Sequence, residues 1–179
     1  GGYVLNEPAG ALLEAEGDPL RVDELLARLA DPAPPLARVE RLAVEPLAPR
    51  GERGFRIVAS ASSGRPEATL SADAATCDDC VVELFDPGDR RHRYPFINCT
   101  NCGPRFTIAR GLPYDRARTT MVHFEMCPEC RREYEDPGDR RFHAQANACP
   151  QCGPGASLLD RAGRPTPLGA ARDAVAAAA

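Results

Sequence analysis

Eight cysteines, all between Cys77 and Cys152 and none in the first 76 or last 27 residues, limit what this chain can fold into more than any other feature. Shifted against itself by 50 positions, the chain places Cys77 on Cys127, Cys80 on Cys130, Cys99 on Cys149 and Cys102 on Cys152, so it contains an internal repeat. Residues 77–105 and 127–155 share 13 identities in 29 ungapped positions. They include Asp86-Pro87-Gly88-Asp89-Arg90-Arg91 against Asp136-Pro137-Gly138-Asp139-Arg140-Arg141, and Gly103-Pro104 against Gly153-Pro154. Each repeat has the form C-x2-C-x18-C-x2-C. Two cysteines separated by two residues form a knuckle that turns both thiolates toward one point. Two knuckles supply the tetrahedral sulfur set that zinc accepts at about 2.3 Å. Four thiolates leave no position for water or substrate, so such sites hold structure rather than perform hydrolysis. The expectation is two structural Zn2+ ions, one on Cys77, Cys80, Cys99 and Cys102 and one on Cys127, Cys130, Cys149 and Cys152.

Spacing alone leaves alternatives open. A disulfide framework is disfavoured in a chain without a secretory signal, and an iron–sulfur cluster also accepts four cysteines. Knuckles one and three could share an ion in a cross-braced arrangement; sequential pairing is favoured because each unit repeats with its own turn and looks self-contained. The Asp-Pro-Gly-Asp segments suit a type II turn, with Pro second and Gly third. The arginines that follow are expected to be solvated and paired with the adjacent aspartates, the alternative being a phosphate-bearing ligand or a neighbouring domain. His92, His123 and His143 occupy unmatched positions and are read as ordinary packing or surface residues. Tyr94, Phe96, Phe106, Phe124, Tyr134 and Phe142 are expected to cluster around the knuckles.

Charge argues against nucleic acid as a partner. Residues 1–76 carry 12 acidic side chains and 8 arginines, residues 77–152 carry 12 and 11, and the net charge is −4. No apolar run approaches the roughly 20 residues that span a bilayer, so no membrane partner is expected and a cytoplasmic location is. Gly1-Gly2-Tyr3-Val4-Leu5 opens directly in a strand-like segment, which suggests residues upstream.

Ahead of the cysteines the expected order is strand, strand, helix, strand, strand. Tyr3–Leu5 and Ala11–Glu16 form a hairpin around Asn6-Glu7-Pro8-Ala9-Gly10. A helix begins at the cap Asp18 with Pro19 in its first turn, buries Leu20, Val22, Leu25, Leu26 and Leu29 on the sheet, and stops at Asp31-Pro32. Further strands are expected at Arg38–Pro46 and Phe55–Val58. The order matches a β-α-β-β-α-β ferredoxin-like or acylphosphatase-like sandwich without its first strand and helix, so the fold class is α+β. A small complete α+β domain remains open. Ser60–Pro66 reads as a linker, Ser157–Asp160 as a last strand before a turn, and the alanine-rich Leu168–Ala179 as helix.

The cysteine pattern, the stretch Tyr94-Pro95-Phe96-Ile97-Asn98-Cys99-Thr100-Asn101-Cys102-Gly103-Pro104-Arg105-Phe106-Thr107 and the segment Arg141-Phe142-His143-Ala144-Gln145 together closely resemble the zinc-finger region of the HypF family of hydrogenase maturation carbamoyltransferases. Gly2-Tyr3-Val4-Leu5-Asn6 resembles the second strand of that family's acylphosphatase-like domain. The resemblance implies a partial acylphosphatase-like domain over 1–60, a linker over 61–76, zinc fingers over 77–105 and 127–155 joined by 106–126, and a lead-in over 156–179 to a YrdC-like nucleotide-binding domain, with a Kae1-like domain beyond. For the parent it implies ATP-dependent carbamoyl transfer: carbamoyl phosphate and ATP give carbamoyl adenylate, and the carbamoyl group passes to the C-terminal cysteine of HypE, supplying cyanide ligands of nickel–iron hydrogenases. It also implies a water-orienting role for Asn6, whose arginine-bearing partner loop is absent from the chain; without the resemblance Asn6 reads as a turn residue. A freestanding zinc-ribbon module binding nucleic acid or protein is the alternative.

Overall fold

The structure, a computed structural model, describes residues 1–7, 10–30, 35–37, 39–59, 70–168 and 173–178. The chain divides into two compact units, one formed by Gly1–Ala75 with Pro104–Val122 and the other by Thr76–Gly103 with His123–Ala179. No helix among the described residues is long and apolar enough to cross a membrane.

In the first unit, β1 (Gly2–Glu7) pairs antiparallel with β2 (Gly10–Ala15), in a register that sets Tyr3 opposite Glu14 and Asn6 opposite Ala11. The ladder runs through Glu7 and resumes at Gly10, so Asn6 belongs to a strand and not to the turn; Pro8 and Ala9 lie outside the described residues. Helix α1 (Pro19–Ala30) starts where its cap requires, with Asp18 Oδ1 accepting the Leu20 N–H at 3.0 Å. Its Val22, Leu25, Leu26 and Leu29 are half-buried as expected, but Leu20, expected on the same face, is 78% exposed at the first turn, which corrects its placement. The expected stop at Asp31-Pro32 lies outside the described residues.

The third strand, β3 (Phe55–Ile57), pairs parallel with the other edge of β1, giving the sheet order β2-β1-β3. The strand expected at Arg38–Pro46 does not form in its described part, which excludes Arg38: residues 39–50 carry no ladder, and Val39, Leu42 and Val44 are exposed. Pro46 and Pro49 each remove a backbone donor. The segment is instead tied by its end, where the Arg50 and Gly51 N–H groups donate to Glu16 Oε2 at 2.6 and 3.2 Å. The expected linker Ser60–Pro66 lies outside the described residues. Asp73, further on, accepts the N–H groups of Arg105 and Thr107 at 2.6 and 3.2 Å, joining the 104–122 segment to this unit.

The second unit contains two matched helices, α2 (Asp78–Phe85) and α3 (Pro128–Glu135), and the short α4 (Ala174–Ala178). The last strand expected at Ser157–Asp160 is reduced to a single bridge between Leu159 and Pro165, closed by a turn in which Asp160 Oδ1 accepts the Ala162 and Arg164 N–H groups. Helix forms within the expected alanine-rich tail, and Arg93 pairs with Asp173 at its start at 2.6 Å.

Candidate metal centres

Each repeat builds its half of the second unit in the same way. The first cysteine precedes a helix and the second, Cys80 or Cys130, lies in its first turn and is fully buried. The helix ends at Asp86 or Asp136, whose Oδ1 accepts the N–H of Gly88 or Gly138 at 2.8 Å and whose carbonyl accepts that of Asp89 or Asp139 at 3.0 Å. Neither glycine has the positive φ that a type II turn requires, so the expected turn type is corrected: the aspartate side chain closes a turn of the type I kind. The chain then passes through a left-handed residue, Arg93 (φ 59°) or His143 (φ 52°), and returns to the second knuckle.

The thiolates converge in two sets, Cys77, Cys80, Cys99 and Cys102, and Cys127, Cys130, Cys149 and Cys152, with all sulfurs of a set within 4.8 Å of one another. Pairing is therefore sequential rather than cross-braced. In the first set the separations are 3.7 Å for Cys77–Cys99, 3.8 Å for Cys99–Cys102 and 3.5 Å for Cys102–Cys80. In the second they are 3.8 Å for Cys127–Cys149, 3.7 Å for Cys149–Cys152 and 3.6 Å for Cys152–Cys130. A tetrahedron of sulfurs around zinc at about 2.3 Å has edges of about 3.8 Å, so both sets fit a single tetrahedral ion. The sulfurs are far beyond the roughly 2.05 Å of a disulfide, and all eight thiols are free. Four sulfurs this close surround one ion and leave no room for a cluster of several irons. A backbone N–H to sulfur bond, Asn101 N–H to Cys99 Sγ at 3.3 Å, supports the second knuckle of the first set.

The paired arginines depart most from expectation. Arg91 and Arg141 are 1% and 3% exposed, and their guanidinium groups do not reach the adjacent aspartates. They cross to the other repeat. Arg91 Nη2 pairs with Glu133 at 2.6 Å and donates to Asn147 Oδ1 at 2.9 Å, while its Nε donates to the Ala148 carbonyl at 2.8 Å. Arg141 pairs in return with Glu83, and its Nε donates to the Asn98 carbonyl at 3.0 Å. Arg90 Nη2 lies 3.1 Å from Cys130 Sγ and 2.9 Å from Glu133. Arg140 Nη1 lies 3.2 Å from Cys80 Sγ, and its Nη2 is 2.6 Å from Glu83. The Asp89 and Asp139 carboxylates accept the backbone N–H of Arg91 and Arg141, at 2.6 and 2.7 Å, which fixes the turn that launches these side chains.

Electrostatics follow from this exchange. Burial raises Glu133, but hydrogen bonds and charge from Arg91 and Arg90 outweigh it and hold the carboxyl at about 2. Glu83 is lowered for the same reasons, by Arg141 and Arg140. Burial pushes the Cys130 thiol up, and the Arg90 guanidinium pulls the other way. Bound zinc would settle that contest in favour of the thiolate.

Glu83 and Glu133 were not singled out from sequence. Both are repeat identities three residues after the second cysteine, which on a helix puts the carboxylate beside the thiolate. The expected aromatic clustering holds in part. Tyr94 is buried and meets Phe96 edge-on, and His143 lies between Tyr134 and Phe142. Phe106, expected in these clusters, is instead 68% exposed. The described histidines contribute to neither thiolate set. Asn6 is exposed on β1 and belongs to neither metal ligand set.

The family model for the HypF finger matches residues 76–109 and 126–159. The carbamoyltransferase HypF of Rhizobium leguminosarum bv. viciae is 51% identical over 120 residues, covering 67% of this chain and 15% of that protein. HypF2 of Cupriavidus necator is 49% identical over 125 residues, covering 69% of this chain and 16% of the relative. Among solved structures, full-length HypF in its phosphate- and nucleotide-bound form matches with a TM-score of 0.80 and 42% identity over 89% of this chain and 22% of its own. T. kodakarensis HypF matches with a TM-score of 0.80 and 44% identity over 94% of this chain and 21% of its own. The chain thus spans about a sixth of the length of these curated relatives.

Proposed function

The chain belongs to the HypF family, and on that premise we propose that its thiolate pair is a structural spacer within an ATP-dependent carbamoyltransferase. In this reading the parent uses carbamoyl phosphate and ATP to carbamoylate the C-terminal cysteine of HypE in the cytoplasm, for maturation of nickel–iron hydrogenases. The observation that carries the spacer role is the closure of both sites: four sulfurs take every position of a tetrahedral ion, and all but Cys77 and Cys152 are buried. Zinc held this way supplies folding energy and fixed geometry, and offers no open position for Lewis-acid chemistry.

The first unit supports an acylphosphatase-like contribution to the same enzyme. Asn6 stands exposed on β1, and the family resemblance would make it a water-orienting asparagine. The test is carbamoyl phosphate hydrolysis by this chain alone, together with carbamoyl transfer to HypE by the full-length enzyme carrying Cys99→Ser. The chain alone is expected to be inactive, and the full-length variant to lose transfer with its fold. Hydrolysis by the chain alone would overturn the inactive reading, and undiminished transfer by the variant would overturn the spacer role.

A further inference from the structure

The exchange of arginines between repeats has no counterpart in two independent zinc fingers. A zinc ion on four thiolates leaves a doubly negative centre, and burying such a charge is costly without compensation. Here the compensation comes from the other repeat. The second cluster receives Arg90 at 3.1 Å from Cys130 Sγ and 3.9 Å from Cys127 Sγ, with Arg91 at 3.5 Å from Cys130 Sγ. The first cluster receives Arg140 at 3.2 Å from Cys80 Sγ and 3.9 Å from Cys77 Sγ. The repeat that owns each cluster contributes no arginine to it in these contacts; it contributes the glutamate that orients the incoming pair.

We propose that the two thiolate clusters load and release metal as a linked pair, because each repeat's Arg-Arg turn compensates and positions the cluster of the other. The mechanical link is short. Helix α2 carries Cys80 in its first turn and Glu83 one turn later, and the Arg90-Arg91 turn leaves its far end, strapped by the Arg93 N–H to the Leu84 carbonyl at 2.8 Å. Metal at the first cluster anchors α2 and so places Arg90 and Arg91 against the second. Helix α3 repeats the arrangement, with the His143 N–H on the Tyr134 carbonyl at 3.0 Å. Because binding free energies are reciprocal, each ion strengthens the other by the same factor, and couplings of this type run from about 5- to 150-fold.

The inference rests on the tetrathiolate reading of the clusters and not on the carbamoyl-transfer reading. Its signature is crossed. Loading the whole chain with cadmium should give two resonances by cadmium NMR, the first cluster's being the one lost in Cys99→Ser. Arg90→Ala should weaken the second cluster about 5- to 150-fold in chelator competition, more than the first; Arg140→Ala should do the mirror image; and Arg90→Lys should recover part of the loss. Cys99→Ser, which spares every ligand of the second cluster, should still lower that cluster's affinity. The proposal is overturned if Arg90→Ala loosens its own repeat first, if neither ion's affinity changes, or if the second cluster keeps full affinity in Cys99→Ser. Should the alanine variants fail to fold, Arg90→Lys and Cys99→Ser decide it. Absence of metal from the unaltered chain by elemental analysis would instead refute the cluster reading itself.

Discussion

Arg91 is the largest of the wholly buried side chains among the described residues, so the zinc-finger unit places a charge where most domains place a leucine. The charge is tolerated because Glu133, Asn147 and the Ala148 carbonyl all receive it. Truncating one partner is therefore costly: Glu133→Ala should lower the stability of the zinc-loaded chain by about 3–5 kcal/mol in denaturant unfolding, since it strands a buried cation. The pH dependence follows from the depressed carboxyl. Its folded value, about 2, lies below the ordinary glutamate range, so its contribution is full above about pH 4.3 and is lost only as pH falls toward 2. Carboxyl NMR of the loaded chain should find Glu133 still ionised at pH 4. Gly153 makes a second residue-scale case: a Cβ there would sit 2.2 Å from the Tyr94 hydroxyl and 2.5 Å from Ala148 Cβ. Gly153→Ala should cost about 1–3 kcal/mol, and Tyr94→Phe in the same chain should recover part of it, read as a double-mutant cycle. The metal ligands were legible in the sequence because a two-residue knuckle is local chemistry. The destination of Arg90 and Arg91 was not, because nothing in Asp89-Arg90-Arg91 distinguishes a guanidinium turned to its neighbour from one that reaches 42 residues along the chain to Glu133.

At the scale of elements, local signals succeeded where one segment held all the information. Asp18 followed by Pro19 and the Val22, Leu25, Leu26, Leu29 spacing specify α1 without outside help. Asp18→Ala should accordingly lower the stability of this unit by about 1 kcal/mol in thermal unfolding, with helix content reduced by circular dichroism. The Val39, Leu42, Val44 pattern failed because a strand is a property of a pair. Alternation describes a surface that can be half-buried, but a ladder also needs a partner edge, and residues 39–45 pair with none. The same limit applies at Ser157–Asp160, where the apolar run is too short to extend beyond one bridge. The α+β class survived these errors because the β1–β2 hairpin and α1 carry it.

For the molecule as a whole, the two units differ in what holds them together. The buried apolar set of the zinc-finger unit is mostly cysteine and alanine, with Tyr94 and Ile97, and its buried polar set includes Arg91, Asn98, Arg141 and Asn147. Without metal, such an interior offers little hydrophobic driving force and a surplus of unneutralised cations, so about 10–16 kcal/mol per structural zinc is the stabilisation on which it depends. The first unit draws on a backbone ladder and a half-buried helix face that contain no metal ligand. Chelation should therefore divide the chain. Hydrogen exchange after zinc removal should show α2, α3 and the knuckles losing protection together, while the β1–β2 ladder keeps its own. Equal loss in both units would mean that the sheet depends on the metal, whereas retained protection in α2 and α3 would mean that the arginine–glutamate exchange alone suffices to fold the repeats.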